Sequence, residues 1–246
     1  MICGELKFIG SGTQKAEDII SSEFKTLNVF RLDQDSARKK STVPEMMKKM
    51  NSSQIDILLG TQMISKGFDF PDLSFAGVIN ADIGLGVPDF RSSERVYSLL
   101  TQLAGRCGRR GDRGKVIIQT RDPMNPIFSF LRNNDYVGFM EREISIRKAL
   151  AYPPFSFLMR LIIKDPDERK AAERSFEIEA FLDANIPQDV DVLGPAPAPI
   201  EKIGKNYRYH FILKSRTRSS LLLTASKLRQ VKNLKADIDI DPSDMM

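Results

Sequence analysis

The sequence predicts an α/β protein in which a parallel-sheet lobe is followed by a smaller α+β domain. Short apolar runs alternate with helical patterns through the first half, which is typical of a parallel sheet covered on both faces. The last third has the order β-α-β-β-α-β, which is that of a split βαβ, or ferredoxin-like, domain. Two proline-containing segments, at 122–126 and 152–155, lie between the lobe and the domain. We therefore expect a lobe over 1–127, a helical connector over 128–155 and a C-terminal domain over 156–246.

The elements of the lobe follow from the periodicity of its apolar residues. Runs of four or five apolar residues are typical of buried parallel strands. They predict strands at 6–9, 28–32, 55–59, 75–79 and 115–119. Apolar residues at 3–4 spacing predict helices that begin at Gly10-Ser-Gly-Thr13, at Thr42 and at Ser92. The second helix runs over 42–50, where Pro44 is allowed in the first turn, and the third runs over 92–104.

The connector and the C-terminal domain are predicted in the same way. A single helical stretch is expected over 127–150. Residues 193–200, Leu-Gly-Pro-Ala-Pro-Ala-Pro-Ile, are expected to form a stiff loop that their prolines hold extended. The domain's remaining elements are strands at 157–164, 200–203, 207–214 and 236–241 and helices at 168–184 and 219–231.

The composition is that of an ordinary soluble globular protein. The chain has 246 residues, of which 41% are hydrophobic and 28% are charged, and its net charge of +5 is consistent with a polyanionic partner. Two cysteines, Cys3 and Cys107, give no disulfide framework, so a reducing compartment is expected. No apolar run approaches eighteen residues, and we expect neither a membrane span nor a signal peptide. The expected location is cytoplasmic.

Residues 102–111, Gln-Leu-Ala-Gly-Arg-Cys-Gly-Arg-Arg-Gly, form the most informative segment. Arg106 and Arg109 are three residues apart, so they would share a helical face and grip a triphosphate as arginine fingers do. Gln102 lies one turn before Arg106 and can orient water or phosphate on that face. The alternative is a solvated basic face with glycines that end a helix.

A second segment precedes it at 58–71, Leu-Leu-Gly-Thr-Gln-Met-Ile-Ser-Lys-Gly-Phe-Asp-Phe-Pro. Thr61 and Gln62 follow a predicted strand directly, where a loop faces the ligand cleft of an open α/β sheet. Thr61 and Lys66 suit a nucleic-acid backbone, because most such contacts go to phosphate. Asp69 can accept a hydrogen bond from a ribose hydroxyl. The alternative is an ordinary β-α loop.

Together these segments resemble motifs V and VI of superfamily 2 helicases. More narrowly, the chain resembles the primosomal protein N′ family, the DNA helicases of replication restart. The further stretches that carry this resemblance are Gly12–Lys15, Val87–Arg95, Tyr152–Phe155, Val192–Pro199 and Tyr207–Tyr209. The similarity extends nearly from end to end.

The resemblance implies that residues 5 to about 125 form the second RecA-like motor lobe. It matches Arg106 and Arg109 to ATP-contacting arginines, and Gly67 and Asp69 to the nucleotide side of motif V. It matches Thr61 to a contact with the DNA backbone. The remainder would be the family's C-terminal domain, which assists in binding branched DNA, single-strand-binding protein and other primosome proteins.

The motifs of a first motor lobe do not occur in the sequence. There is no Gly-x-x-x-x-Gly-Lys-Ser/Thr and no Asp-Glu-x-His, and Gly10–Lys15 has the wrong spacing for a phosphate loop. We therefore expect ATP with Mg²⁺ to bind only in a complete protein that includes the first helicase lobe. The 246 residues alone are expected not to hydrolyse ATP.

The family's zinc module is represented by Cys3 alone, as a possible remnant of a zinc site. One thiolate cannot make a four-ligand site, so we expect no metal here. The open interpretations of the missing parts are a truncated polypeptide, a split gene and a wrongly assigned start codon.

The C-terminal domain carries a basic stretch. Ten lysines and arginines, and no aspartate or glutamate, occur between Lys202 and Lys235. Alternation along 207–214 predicts that Arg208, His210 and Lys214 share one strand face, and we expect Arg208 and Lys214 to contact DNA. The alternative is that the basic side chains simply solvate the domain surface.

The leading hypothesis is that the chain is the C-terminal part of an ATP-dependent DNA helicase that restarts stalled replication forks through primosome assembly. One alternative is a non-enzymatic DNA- or partner-binding remnant. A second alternative is one half of a split helicase whose Walker lobe is a separate chain.

Overall fold

The computed structural model describes residues 12–33, 41–61, 64, 73–108, 114–232 and 234–246. The chain divides into two compact units, the first formed by Met1–Ile79 and Ser98–Gln119 and the second by Asn80–Tyr97 and Thr120–Met246. The second unit thus takes residues 80–97 from within the predicted lobe. The boundaries predicted after residues 127 and 155 stay predictions. The strand predicted at 6–9 lies outside the described residues.

The described elements agree closely with the predicted order. The helices are α1 Thr13–Glu23, α2 Thr42–Asn51, α3 Asp82–Leu85, α4 Ser92–Ala104, α5 Pro126–Arg132, α6 Tyr136–Ala149, α7 Glu168–Asn185 and α8 Arg218–Arg229. The strands are β1 Val29–Leu32, β2 Ile57–Gly60, β3 Phe75–Val78, β4 Lys115–Ile118, β5 Phe157–Asp165, β6 Val190–Ile203, β7 Asn206–Ser215 and β8 Ala236–Ile240. None of the helices in the described part of the chain has the length and apolar character that a membrane span needs.

The first unit contains two parallel strand pairs, as the alternation of strands and helices predicted. Strand β1 pairs with β2, with Leu32 opposite Gly60, and β3 pairs with β4. Leu32 of β1 and Met46 of α2 are fully buried, and they pack with partly buried neighbours that include Phe30 and Leu58. Burying these apolar side chains is what holds α2 against the β1–β2 pair.

Within the part of the chain that the structure describes, one face of the β3–β4 pair is exposed. Phe75 is 52% exposed and Ile117 is 48% exposed, whereas Ala76 on the opposite face is buried. The prediction of a sheet covered on both faces is therefore wrong for this pair. A run of apolar residues indicates a strand, but it does not specify which of the two faces another element will cover.

The second unit contains a four-stranded antiparallel sheet in the order β6-β7-β5-β8. This is the order of a split βαβ domain, so the predicted ferredoxin-like topology is confirmed. Helices α7 and α8 pack on one face of the sheet. The buried cluster includes Met159, Leu161, Phe211 and Leu213 from the strands, Ile178 and Leu182 from α7, and Leu221 and Leu228 from α8.

The proline-rich segment is a strand, and the prediction of a stiff loop over 193–200 is wrong. Strand β6 runs continuously from Val190 to Ile203, with register shifts between Leu193 and Ala196 and between Pro197 and Lys202. It lies at the edge of the sheet, where a proline removes no required backbone donor. Gly194 has a φ of +113°, and an added Cβ would lie 2.6 Å from the His210 carbonyl oxygen.

The connector is two helices, whereas the sequence predicted one. Helix α5 ends at Arg132, and α6 begins at Tyr136. The Asp135 carboxylate accepts a hydrogen bond from the Gly138 amide at 2.8 Å and so caps the second helix. Asn134, with a φ of +52°, turns the chain between them. Capping side chains at this point stabilise a new helix start, which apolar periodicity alone does not indicate.

Candidate nucleotide and nucleic-acid sites

Helix α4 delivers the arginine segment but ends before it. The Gly105 amide donates to the Thr101 carbonyl, four residues back, at 2.9 Å. The Arg106 and Cys107 amides donate to carbonyls only three residues back, those of Leu103 and Ala104, each at 3.2 Å. Arg106 therefore lies in a turn after Ala104. Gln102 is in the helix and Arg106 is not, because the helix ends at Ala104, so the prediction that these two share a helical face is wrong. A common face for Arg106 and Arg109 stays a prediction. Arg109 itself is outside the described residues.

Close backbone packing fixes this turn. Gly108 has a φ of +77°, and its amide donates to the Leu73 carbonyl at 2.9 Å. Opposite it, a Cβ on Gly114 would lie 2.4 Å from the Cys107 carbonyl carbon, so only glycine fits there. Burial raises the pKa of the Cys107 thiol. Glycine at 108 and 114 thus permits the positive φ and the close backbone approach that this turn contains.

The Arg106 side chain is available to an anion. It is half-buried, and its guanidinium makes no hydrogen bond or ion pair to any residue that the structure describes. Gln102 is exposed and donates from Nε2 to the Ser98 hydroxyl at 3.2 Å, within its own helix. An unengaged guanidinium in the turn after α4 suits the recognition of phosphate oxygens.

Thr61 lies where the sequence predicted it, directly after β2. It is exposed, and its carbonyl accepts a hydrogen bond from the Ile64 amide at 3.1 Å. A Cβ on the preceding Gly60 would lie 2.3 Å from the Leu32 carbonyl oxygen, so β1 and β2 approach closely there. The other predicted residues of this segment, Gln62, Lys66, Gly67 and Asp69, lie outside the described residues.

Asp33 is a residue of this edge that the sequence analysis missed. It follows Leu32, which pairs with Gly60, so Asp33 and Thr61 follow neighbouring strand ends. Its carboxylate accepts a hydrogen bond from the Thr13 hydroxyl at 3.2 Å and lies 3.4 Å from the Arg31 guanidinium. A polar residue directly after a predicted strand was the available signal. This edge therefore presents hydroxyl and carboxylate groups where open α/β sheets bind ligands.

Arg208 is buried in the second unit, with 6% of its surface exposed. Its Nη1 donates to the Ile200 carbonyl at 3.1 Å. The geometry does not support the expected contact from Arg208 to DNA, because the side chain is buried and donates to an acceptor in strand β6. The other half of the alternation is confirmed, since Phe211 and Leu213 are fully buried and Tyr209 packs against them.

Lys214 is engaged within the second unit. Its Nζ donates to the Leu150 carbonyl at 3.1 Å and lies 3.9 Å from the centroid of the Tyr152 ring. Burial lowers the pKa of its ammonium group. A contact from Lys214 to DNA stays a prediction, and it would require these contacts to be given up.

His210 lines a cavity of about 330 Å³ together with Asp89, Phe90, Tyr152 and Met245. Burial is the main cause that lowers the pKa of its imidazole, and the charges of Arg208 and Arg160 add to the effect. Its Nδ1 is buried and has no hydrogen-bond partner among the described residues. Among the residues that the structure describes, no cluster of three or more histidine, cysteine, aspartate or glutamate side chains suits a metal ion. Cys3 lies outside those residues.

The remaining lysines and arginines of the basic stretch differ in whether their side chains make a hydrogen bond or ion pair. Lys202 donates to the Tyr207 hydroxyl, Arg218 pairs with Asp241 at 2.9 Å, and Lys227 donates to the Asn185 carbonyl at 2.6 Å. The others are exposed and have no side-chain partner within the described ranges. They are Lys205, Arg216, Arg229, Lys232 and Lys235.

Two protein families match successive parts of the chain. Residues 9–111 match the helicase conserved C-terminal domain, and residues 148–243 match the primosomal protein N C-terminal domain. Three similar proteins are each named replication restart protein PriA. The Bacillus subtilis protein is 36% identical over 98% of the chain, the Synechocystis protein 36% over 96%, and the Treponema pallidum protein 35% over 98%. The chain spans 31%, 29% and 37% of the lengths of these relatives, respectively.

Proposed function

The chain belongs to the PriA family of replication restart proteins, as its C-terminal part, and from this we propose that it supplies one half of an ATP-driven DNA motor. In a complete protein, the arginine segment contacts ATP bound against a first motor lobe. The carboxyl edge of β1 and β2 and the C-terminal domain contact DNA. The partners we propose are forked or branched DNA, single-strand-binding protein and other primosome proteins, and the location we propose is cytoplasmic.

The observation that carries this proposal is the state of Arg106. Its amide is bonded to the Leu103 carbonyl in the turn that follows α4, while its guanidinium is unengaged within the described part of the chain. A preorganised cation aimed at a phosphate stabilises the charge that develops during phosphoryl transfer. When bound, ATP with Mg²⁺ would supply the phosphate and the metal. Arg106 would neutralise phosphate oxygens, and Arg109 is proposed to act beside it.

We expect the purified 246-residue chain to show no DNA-stimulated ATPase activity. Its sequence holds neither a phosphate-binding loop with lysine nor an acidic pair to hold magnesium. The measurement is phosphate release in the presence of single-stranded DNA, before and after addition of a first motor lobe. Turnover by the chain alone would contradict the proposal, whereas turnover only after the addition would support it.

The DNA footprint that we propose for the C-terminal domain is the end of α8 and the start of β8. Arg229, Lys232 and Lys235 are exposed there without side-chain partners in the described residues. Arg229 also lines an open cleft of about 510 Å³ with Val231 and Leu234. Unengaged, clustered cations bind phosphate with release of counterions and with little loss of internal contacts.

Replacing Lys232 and Lys235 together with alanine should weaken DNA binding and make it less dependent on salt. Each lost phosphate contact lowers the slope of log K against log salt by about 0.9 on duplex DNA, so two contacts lower it by about 1.8. Fluorescence anisotropy over a salt series measures the slope. Lys214→Ala is the matched control, and its slope should not change. If the slope falls for Lys214→Ala and not for the double variant, the DNA contact is on strand β7 and the footprint proposed here is wrong.

A further inference from the structure

The segment Pro242–Met245 is held by the residues that lead into helix α4. The Arg91 guanidinium donates to the Pro242 carbonyl at 3.0 Å and to the Ser243 carbonyl at 3.3 Å. Arg95 Nη2 donates to the Ser243 carbonyl at 2.6 Å. These bonds join parts of the chain about 150 residues apart, and all of them lie within the second unit.

Asp89 also contacts the Pro242–Met245 segment. Its side chain is fully buried, and its Oδ2 accepts a hydrogen bond from the Met245 amide at 3.2 Å and lies 2.9 Å from Arg95 Nη1. Met245 is itself buried. The other Asp89 oxygen, Oδ1, accepts a hydrogen bond from the Arg91 amide at 2.8 Å. Arg95 is the cation that compensates this buried carboxylate, so its loss leaves the charge poorly compensated.

The first half of α4 is held at two further points. Glu94 pairs with Arg147 at 2.6 Å, and the Tyr97 ring stacks on Phe139 with centroids 4.1 Å apart. Helix α4 then continues without interruption to Ala104, a run of thirteen residues. Such a helix is about 20 Å long, and Arg106 follows two residues after its end.

We propose that Pro242–Met245 is a positioning element for the nucleotide-contacting turn. Its contacts to Arg91, Arg95 and Asp89 anchor the beginning of α4, and the helix presents Arg106 from its other end. Arg91 and Arg95 are thus positioning residues, which act through the helix and touch neither nucleotide nor DNA. The nucleotide part of this inference rests on the function proposed above for Arg106.

The test is amide hydrogen exchange on the 246-residue chain. Replacing Arg91 and Arg95 together with alanine should raise exchange over residues 101–108 roughly five-fold, because anchored helices open less often. Exchange over 157–165, the central strand β5, should stay unchanged. Ser243→Ala is one control, because the acceptor there is the main-chain carbonyl. Arg142→Ala is the second, because it removes an exposed arginine of α6 that has no side-chain partner in the described residues.

If the Met245 amide loses protection while residues 101–108 keep theirs, the positioning role is overturned. If the double variant also loses protection over 157–165, the domain itself is destabilised, and the milder Arg95→Lys is measured instead. The positioning role is then overturned if the Met245 amide loses protection in Arg95→Lys while residues 101–108 keep theirs. With a first motor lobe supplied, the double variant should lower kcat for ATP roughly ten-fold and Arg95→Lys less, through looser placement of Arg106. If ATPase activity does not change in Arg106→Ala, the function proposed for Arg106 is refuted. The exchange measurement still tests the anchoring of α4 independently.

Discussion

Arg106→Ala should lower the kcat for ATP hydrolysis by about 10³- to 10⁵-fold when a first motor lobe is supplied. The expected loss is large because the guanidinium opposes charge that develops on phosphate in the transition state, in a site that excludes water. Arg106 is half-buried and has no side-chain partner in the described residues, so its removal breaks no internal contact that the structure shows. The measurement is steady-state ATPase with DNA, together with circular dichroism to show that the fold is retained.

Two variants sharpen this result. Arg106→Lys keeps the charge but loses the planar fork, so it should recover only part of the activity. Arg132→Ala removes an exposed arginine at the end of α5 and should leave kcat unchanged. Activity within about two-fold of the unaltered protein for Arg106→Ala would show that this arginine does not contact the reacting phosphate.

Arg147→Leu should lower the free energy of unfolding of the second unit by about 3–5 kcal/mol. Arg147 is 11% exposed and contacts the Glu143 carboxylate, which is 9% exposed, at 3.2 Å. It also pairs with Glu94 and lies 5.1 Å from the centroid of the Phe90 ring. Its removal leaves Glu143 buried without its cation. Urea unfolding monitored by amide exchange over β5 measures the loss.

The double variant Glu143→Leu with Arg147→Leu should regain most of that stability. Two apolar side chains of similar volume remove the uncompensated charge, and such replacements are often neutral or stabilising. Glu94→Gln is the matched control, because Glu94 is 43% exposed and a surface pair contributes about 1 kcal/mol or less. If Arg147→Leu and Glu94→Gln destabilise equally, burial of Glu143 is not the cause.

Local features were predicted well because they depend on near neighbours. The helix over 92–104 and the order β-α-β-β-α-β are as predicted, since periodicity reports which residues share a face. Failures arose where a side chain or glycine changed the local conformation. Asp135 begins a new helix inside the predicted 127–150 stretch, and the turn that contains Gly108, with its positive φ, follows α4 and includes Arg106.

The exposure of individual side chains was predicted less well. The alternation along β7 correctly separated Arg208 from Phe211, but it could not show that Arg208 is buried and donates to the Ile200 carbonyl of the edge strand. The same limit applies to β3 and β4, whose apolar side chains include an exposed face. Whether a face is covered depends on segments distant in the chain, and nothing in the local pattern encodes their position.

The sequence by itself indicated the resemblance to replication-restart helicases, through the segments at 58–71 and 102–111 together with the further matching stretches. It also determined the type and order of most secondary elements. Only the tertiary structure decided which cations are engaged, which strand faces are covered and what anchors α4. The reason is physical. Motifs and periodicity are properties of residues a few positions apart, whereas the bonds of Arg91 and Arg95 to Pro242 and Ser243 form between residues about 150 positions apart once the chain has folded.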